Sequence, residues 1–230
     1  MSQDDLGRLL SEVDDYIGRT FSPQDEALSG ALEDSRRAGL PEIHISPTQG
    51  RLMQLLAEIN GVRRILEIGT LGGYSTIYLA RALPEDGSLL SLELDEEYAR
   101  VARANVERAG LSEKVEVRVG DAQNLLSEMR ETFDLIFIDA DKKGYPAYLD
   151  HALRLTRSGA LILADNTIFG GSVIEGSEYA DAEEEGRYLR EFNDRAAADE
   201  RLSATIIPLL RERVDGMTVC RVRWGICGCL

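Results

Sequence analysis

The chain changes its hydrophobic rhythm once, near residue 62. Before that point, Leu6, Leu9, Leu10, Val13 and Ile17 recur at the spacing of one helical face, and Ala27, Leu28, Ala31 and Leu32 repeat it. Gly39-Leu40-Pro41 predicts a turn. Ser46-Pro47-Thr48 predicts a helix start ahead of the stripe Leu52, Leu55, Leu56 and Ile59. From Val62 onward, strand and helix patterns alternate. The spacing predicts strands over 64–68, 89–94, 115–119, 133–138 and 160–164, with helices over 75–82, 95–109 and 145–156. The runs at 133–138 and 160–164 are almost wholly apolar, as strands covered on both faces are. A polar stretch over 170–186 leads to a helix over 188–198. Two last strands, 204–209 and 217–224, are expected to form a hairpin joined through Asp215-Gly216.

Repeated strand-then-helix order implies right-handed crossovers and a parallel sheet with helices on both faces. The expected fold is therefore α/β, with a mostly parallel seven-stranded sheet and an antiparallel hairpin at its C-terminal edge. The expected organisation is a single domain over 1–230, in which residues 1–60 form a helical cap on an α/β core over 61–230. The length of 230 residues fits one domain of that size.

Composition narrows the partners. Lys and Arg number 26 against 41 Asp and Glu, a net charge of −15. Such a surface repels phosphate backbones and anionic membranes on average, so neither is an expected partner. No apolar run is long enough to span a membrane. The acidic first residues (Asp4, Asp5, Glu12) lack the layout of a signal peptide. Three cysteines, Cys220, Cys227 and Cys229, make no disulfide framework, so reduced thiols in a cytoplasmic protein are expected. Cys227-Gly-Cys229 lacks the further ligands of a zinc site.

In an open parallel sheet, ligands bind beyond the carboxyl ends of the strands. The first strand ends in Glu67-Ile68-Gly69-Thr70-Leu71-Gly72-Gly73-Tyr74-Ser75. Leu71 stands where a dinucleotide fingerprint needs its second glycine, which argues against a nucleotide-binding dehydrogenase. Glu67 beside the loop suits an amine better than a pyrophosphate. Glu93 ends the second strand, where a carboxylate can accept from both hydroxyls of a ribose. Gly120-Asp121-Ala122 makes a turn after the third strand that is able to face an adenine edge. The fourth and fifth strands end in Ile138-Asp139-Ala140-Asp141-Lys142 and Ala164-Asp165-Asn166. Asp, Asp and Asn at adjacent strand ends are hard oxygen donors of the kind a divalent cation takes. Mutual hydrogen bonding and loop capping is the alternative use of the same residues.

Together, E-I-G-T-L-G-G-Y-S, F-I-D-A-D-K and D-N-T, with I-S-P-T-Q-G before them and D-G-M-T after, resemble the cation-dependent class I O-methyltransferases. That group includes the catechol and caffeoyl-CoA O-methyltransferases, and the small bacterial members match best, over about 43–224. The resemblance implies a Rossmann-like class I methyltransferase fold and S-adenosylmethionine as cofactor. It implies that Glu67, Gly69, Thr70 and Ser75 hold the methionine portion, with Ser75 near its carboxylate and Glu67 at its amino end. It sets Glu93 on the ribose, Ala122 beside the adenine, and Ile45 and Asp141 along the cofactor. Asp139, Asp165 and Asn166 match the family's ligands for Mg²⁺ or another divalent cation such as Ca²⁺ or Mn²⁺. Lys142 matches its general base, which makes Lys142 and Asp139 the implied catalytic pair. Family members commonly pair, so a homodimer is expected.

The implied chemistry is coherent. A phenol with pKa near 10 is a poor nucleophile at neutral pH. A cation gripped by two vicinal oxygens stabilises the anion, and alignment with the methyl donor supplies much of the remaining advantage. Substrate choice is expected in the N-terminal helices and the 167–186 loop. Phe169 and Gly170 stand where plant members carry Trp and Asn, so a small, near-neutral ortho-dihydroxy aromatic fits better than a CoA ester. Phe169 is either a wall for that ring or a core aromatic. His44 and His151 are expected to be structural, and 181–185 a solvated helix start. Other readings are a tRNA hydroxyuridine O-methyltransferase, which only a patch of Arg36, Arg37 and Arg51 would serve, a caffeoyl-CoA-type enzyme, and a non-enzymatic S-adenosylmethionine sensor.

Overall fold

A computed structural model describes residues 3–176, 182–209 and 214–223. Three helices, α1 (Gln3–Phe21), α2 (Glu26–Arg37) and α3 (Pro47–Ile59), precede the alternating part. Ser46 caps α3 by accepting from the Gln49 N–H, with Pro47 at the first turn, as the sequence predicts. The alternation then runs β1 (Arg64–Ile68), α4 (Tyr74–Arg81), β2 (Ser88–Glu93), α5 (Glu96–Arg108), β3 (Val115–Val119), α6 (Ala122–Glu128) and β4 (Phe133–Ile138). It continues with α7 (Tyr145–Leu155), β5 (Thr156–Ala164), α8 (Glu183–Ala198), β6 (Leu202–Leu209) and β7 (Asp215–Val222).

The seven strands form one sheet in the order β3-β2-β1-β4-β5-β7-β6. β3, β2, β1, β4 and β5 pair in parallel, and β7 pairs antiparallel with both β5 and β6. β7 is thus the one strand that runs against the rest, and β6 is the edge. One apolar core holds α2, α3 and α4 against one face, with Leu28, Met53, Ile77 and Tyr78 fully covered. A second holds α7 and α8 against the other, through Tyr145, Leu149, Leu189 and Phe192.

Four details differ from the sequence reading. α6 had no strong periodicity because it is only seven residues long; Asp121 starts it by accepting from the Asn124 N–H at 2.9 Å. α8 begins at Glu183, five residues before the expected run over 188–198 and inside the acidic stretch expected as a solvated helix start, where acids favour a helix N-terminus. β5 begins directly at Thr156, and a register irregularity opposite Phe133 and Leu135 takes up Gly159 within the strand. Asp215-Gly216 is not the hairpin turn. Both residues lie in β7, paired with Leu209 and Pro208. Gly216 serves there by having no side chain: a Cβ would meet Ile168 and Ile206 at 2.7 Å. Asp181, Trp224, Cys227 and Cys229 lie outside the described residues; Cys220 is a buried free thiol whose pKa burial pushes up to about 12.

Candidate functional site

The carboxyl ends of β1, β2, β4 and β5 open into a cavity of about 710 Å³. Its walls include Ile43, His44, Ile45, Gly69, Thr70, Ser75, Glu93, Ala122, Asp139, Asp141, Lys142, Asn166 and Phe169. Sequence-predicted residues from six separate segments therefore face one space. Glu67 and Asp165 are buried and do not themselves line it.

The glycine turn is shaped by close approach. Gly69 has φ 96°, and a Cβ there would lie 1.9 Å from the Asp139 carbonyl oxygen. Only glycine lets the ends of β1 and β4 come this near. Leu71 is held in the left-handed region at φ 51°. Glu93 fixes it: its Oε2 accepts from the N–H groups of Thr70 (3.1 Å) and Leu71 (2.8 Å), and its Oε1 accepts from the Asp95 N–H (3.0 Å). From the other side Asn105 of α5, fully buried, donates to the Gly72 carbonyl at 2.9 Å.

Glu67 is completely covered. Three hydroxyls donate to its carboxylate: Ser75 at 2.6 Å, Thr76 at 2.5 Å and Ser91 at 2.6 Å. Burial pushes its pKa up to about 7; the three hydroxyls oppose that rise and the Asp139 charge adds to it. Glu67 touches the cavity wall through Ser75, which donates to it, and through Ser91, which bonds to Thr70.

Asp139 and Asp165 extend β4 and β5, and their backbones continue the ladder: Asp139 N–H donates to the Ile68 carbonyl, and Asp165 N–H to the Ile138 carbonyl, each at 2.9 Å. Asp165 is 3% exposed. Burial first, then the Asp139 charge, raise its pKa to about 7, while the Asn166 amide and Gln49 lower it. Its Oδ1 is buried and has no hydrogen-bond partner of good geometry among the described residues, with Gln49 near enough to favour the charged form. A carboxylate oxygen buried in this way is costly unless a cation or a proton meets it.

Lys142 stands at the centre of the site. Its Nζ donates to Asn166 Oδ1 (2.8 Å) and to the Tyr145 hydroxyl (2.9 Å), and lies 3.5 Å from Asp139 Oδ1. The Tyr145 hydroxyl in turn donates to the Asp165 backbone carbonyl at 2.8 Å. Burial, then the surrounding aspartates, raise the Tyr145 pKa well above its ordinary value, so it stays a neutral donor. Asp141 turns aside: its carboxylate accepts from the Tyr148 hydroxyl (2.6 Å) and the Gly144 N–H (2.8 Å) while edging the cavity.

Asn166 sits at φ 54° and Phe169 at φ 47°. Left-handed conformations in non-glycine residues persist where surroundings enforce them. Asp215 does so here. Its Oδ2 accepts from Asn166 Nδ2 at 3.0 Å, and its Oδ1 accepts from the N–H groups of Phe169 (3.0 Å), Gly216 (2.7 Å) and, more weakly, Ile168 (3.4 Å).

Tyr145 and Asp215 were not among the residues that the sequence singles out for the site. Tyr145 lies three residues after Lys142, one turn on. Asp215 was hidden by its reading as a turn residue. His44 lines the cavity with its ring 5.4 Å from Tyr74. His151 is remote, beside Arg154 on α7.

The donors fit a hard divalent cation. Asp139 and Asn166 face a common positive group, and Asp165 adds a buried carboxylate close enough for the Asp139 charge to raise its pKa. Among the described residues, no three His, Cys, Asp or Glu form a metal-holding group. The third donor in this set is an amide, as hard-cation sites permit.

Comparison with known proteins gives a consistent result. Residues 20–223 match a model described as O-methyltransferase. A catechol O-methyltransferase of Niastella koreensis is 42% identical over 221 residues, 94% of this chain and 99% of that one. A catechol O-methyltransferase of Mycobacterium tuberculosis is 42% identical over 214 residues, 92% of this chain and 96% of that one. The solved structure of a Bacillus cereus O-methyltransferase in complex with SAH has a TM-score of 0.87 and 42% identity, covering 94% of this chain and 99% of that one. TomG of Streptomyces achromogenes, involved in tomaymycin synthesis and solved with SAM, has a TM-score of 0.87 and 37% identity, covering 95% and 99%.

Proposed function

The chain belongs to the O-methyltransferase family, and from that premise we propose that it transfers the methyl group of S-adenosylmethionine to one oxygen of a small ortho-dihydroxy aromatic, with a divalent cation. The observation that carries this reading is the single cavity into which both the glycine turn with Glu93 and the group Asp139, Lys142, Asn166 and Phe169 open. Relatives solved with SAH and SAM support the cofactor, and the two catechol O-methyltransferases support the substrate class.

When bound, the cofactor supplies an electrophilic sulfonium methyl and the cation supplies charge that favours the phenolate. The chain's residues do the remaining work. Glu93 offers the open position on its Oε1 to the ribose hydroxyls, while its bonds to Thr70, Leu71 and Asp95 keep it rigid. Ser75 donates its hydroxyl hydrogen to Glu67 and so presents an acceptor to the cavity, which suits the methionine ammonium rather than the carboxylate that the resemblance set beside Ser75. The carboxylate is then left to the N–H groups at the start of α4, which no side chain caps. Ala122 and Ile45 close the sides of the adenosine pocket. Asp139, Asp165 and Asn166 would hold the cation, Mg²⁺ being the expected ion. In its neutral form Lys142 Nζ would take the hydroxyl proton, and Phe169 would flank the ring. Holding both reactants in line lowers the entropic part of the barrier.

We further propose a cytoplasmic homodimer. Exposed Leu9, Val13, Tyr16 and Phe21 on α1 support the dimer; among the described residues no helix is long and apolar enough to cross a membrane.

The test is methyl transfer from labelled S-adenosylmethionine to catechols, caffeoyl-CoA and tRNA, with Mg²⁺ or with chelator. The expected result is turnover of catechols that chelation abolishes. Equal turnover under chelation overturns the cation's role, and preference for either of the other acceptors overturns the substrate class.

A further inference from the structure

We infer that Asp215 is a positioning residue that sets which end of the Asn166 amide faces the cation site. The inference rests on the cation reading above. An asparagine side chain is nearly symmetric in shape, but its oxygen binds a cation and its NH₂ does not. At Asn166 the orientation is decided from outside the cavity. Asp215, an obligate acceptor when ionised, takes the Nδ2 proton at 3.0 Å, which turns Oδ1 inward, where it meets Lys142 Nζ at 2.8 Å. Asp215 itself cannot swing away, because its second oxygen is committed to the N–H groups of Phe169, Gly216 and Ile168. The same carboxylate thus fixes a cation ligand and the left-handed loop that carries Phe169.

The consequence is specific. In Asp215→Asn, the new amide has one oxygen and two places to put it. Three backbone N–H groups outweigh one side-chain bond, so the oxygen stays with the loop and the NH₂ turns toward residue 166. Two NH₂ groups then oppose each other, and Asn166 relieves this by rotating its oxygen outward and its NH₂ into the cation site. Asn166→Asp alone fails differently, by setting two carboxylates side by side. The double variant, Asp215→Asn with Asn166→Asp, restores the match. The new amide donates to one oxygen of the new carboxylate, and the other oxygen faces inward.

The experiment measures Mn²⁺ affinity by paramagnetic resonance on the full chain for the wild type, both single variants and the double variant, with SAH affinity and melting temperature alongside. Removal of an outer partner of a metal ligand typically weakens binding by about 10–100-fold. That loss is expected in Asp215→Asn with SAH affinity unchanged, and the double variant is expected to bind Mn²⁺ more tightly than either single one. Wild-type affinity in Asp215→Asn, or a double variant no better than the singles, overturns the inference while leaving the cation reading intact. Parallel loss of SAH affinity and melting temperature makes Asp215 a folding residue and also overturns it. A wild type without Mn²⁺ affinity overturns both.

Discussion

At the scale of single residues, burial decides what each acid does. Glu67 and Asp165 are both acids whose folded pKa stands near 7, from ordinary values of 4.5 and 3.8. For Glu67, the folded chain holds its proton more tightly than the unfolded chain does. Its contribution to stability is therefore greatest below the unfolded value and declines as pH rises from 4.5 towards about 7, where the penalty of a buried charge becomes complete. Glu67→Gln is expected to flatten that decline in melting temperature, measured from pH 4.5 to 8; an unaltered slope would assign the decline to other groups. Lys142→Met is expected to lower kcat by about 10²–10⁴-fold, the usual worth of a positioned base, with Mn²⁺ binding kept. Steady-state kinetics beside a binding titration separate the two effects. Gly69→Ala forces a Cβ against the Asp139 carbonyl at a positive φ. Backbone strain alone costs about 1–3 kcal/mol, and a denaturant titration should show at least that loss.

At the scale of elements, the strand ends were legible and the supports beneath them were not. Alternation of apolar runs with glycine-ended loops was enough to locate all five parallel strands: β4 and residues 160–164 of β5, covered on both faces, are almost wholly apolar, while the edge strand β3 shows itself by the alternation of Val115, Val117 and Val119. It also placed Asp139, Asp165 and Asn166 at neighbouring ends. The role of Glu67 was harder to see. Its hydroxyl partners come from β2 and α4, up to 24 residues away, and nothing local marks Ser91 or Thr76 as polar groups facing inward. Asp215 illustrates the same limit: Asp-Gly signals a turn when glycine is needed for its backbone, whereas here it is needed for space beside Ile168. α8 was legible as a helix, but its support of the 167–172 loop was not. Gly186 packs on the Ser172 carbonyl, 2.1 Å from where a Cβ would be, and Asn193 donates to the Thr167 carbonyl at 2.8 Å. Gly186→Ala is therefore expected to displace the loop that carries Phe169. It should raise KM for the aromatic more than KM for S-adenosylmethionine.

For the whole molecule, the net charge accords with the proposed small, near-neutral acceptor. The cavity is roofed by the segment between α2 and α3, with Leu40, Ile43, His44 and Ile45 in its wall. At a net charge of −15, polyanions gain little from approach. Gel-shift titration with tRNA at physiological salt is expected to show no complex. Sedimentation is expected to give a dimer, and replacement of Leu9 and Tyr16 by Glu should shift it towards monomer.

The central claim is that the ends of β4 and β5 hold a divalent cation beside the methyl donor's pocket. Its most direct measurement is the anomalous signal of Mn²⁺ in crystals grown with SAH and a catechol. The account predicts one peak among the side-chain oxygens of Asp139, Asp165 and Asn166, with Lys142 drawn off Asn166 and the diol against the ion. A fully loaded crystal with no peak there, and Lys142 still on Asn166, would contradict it.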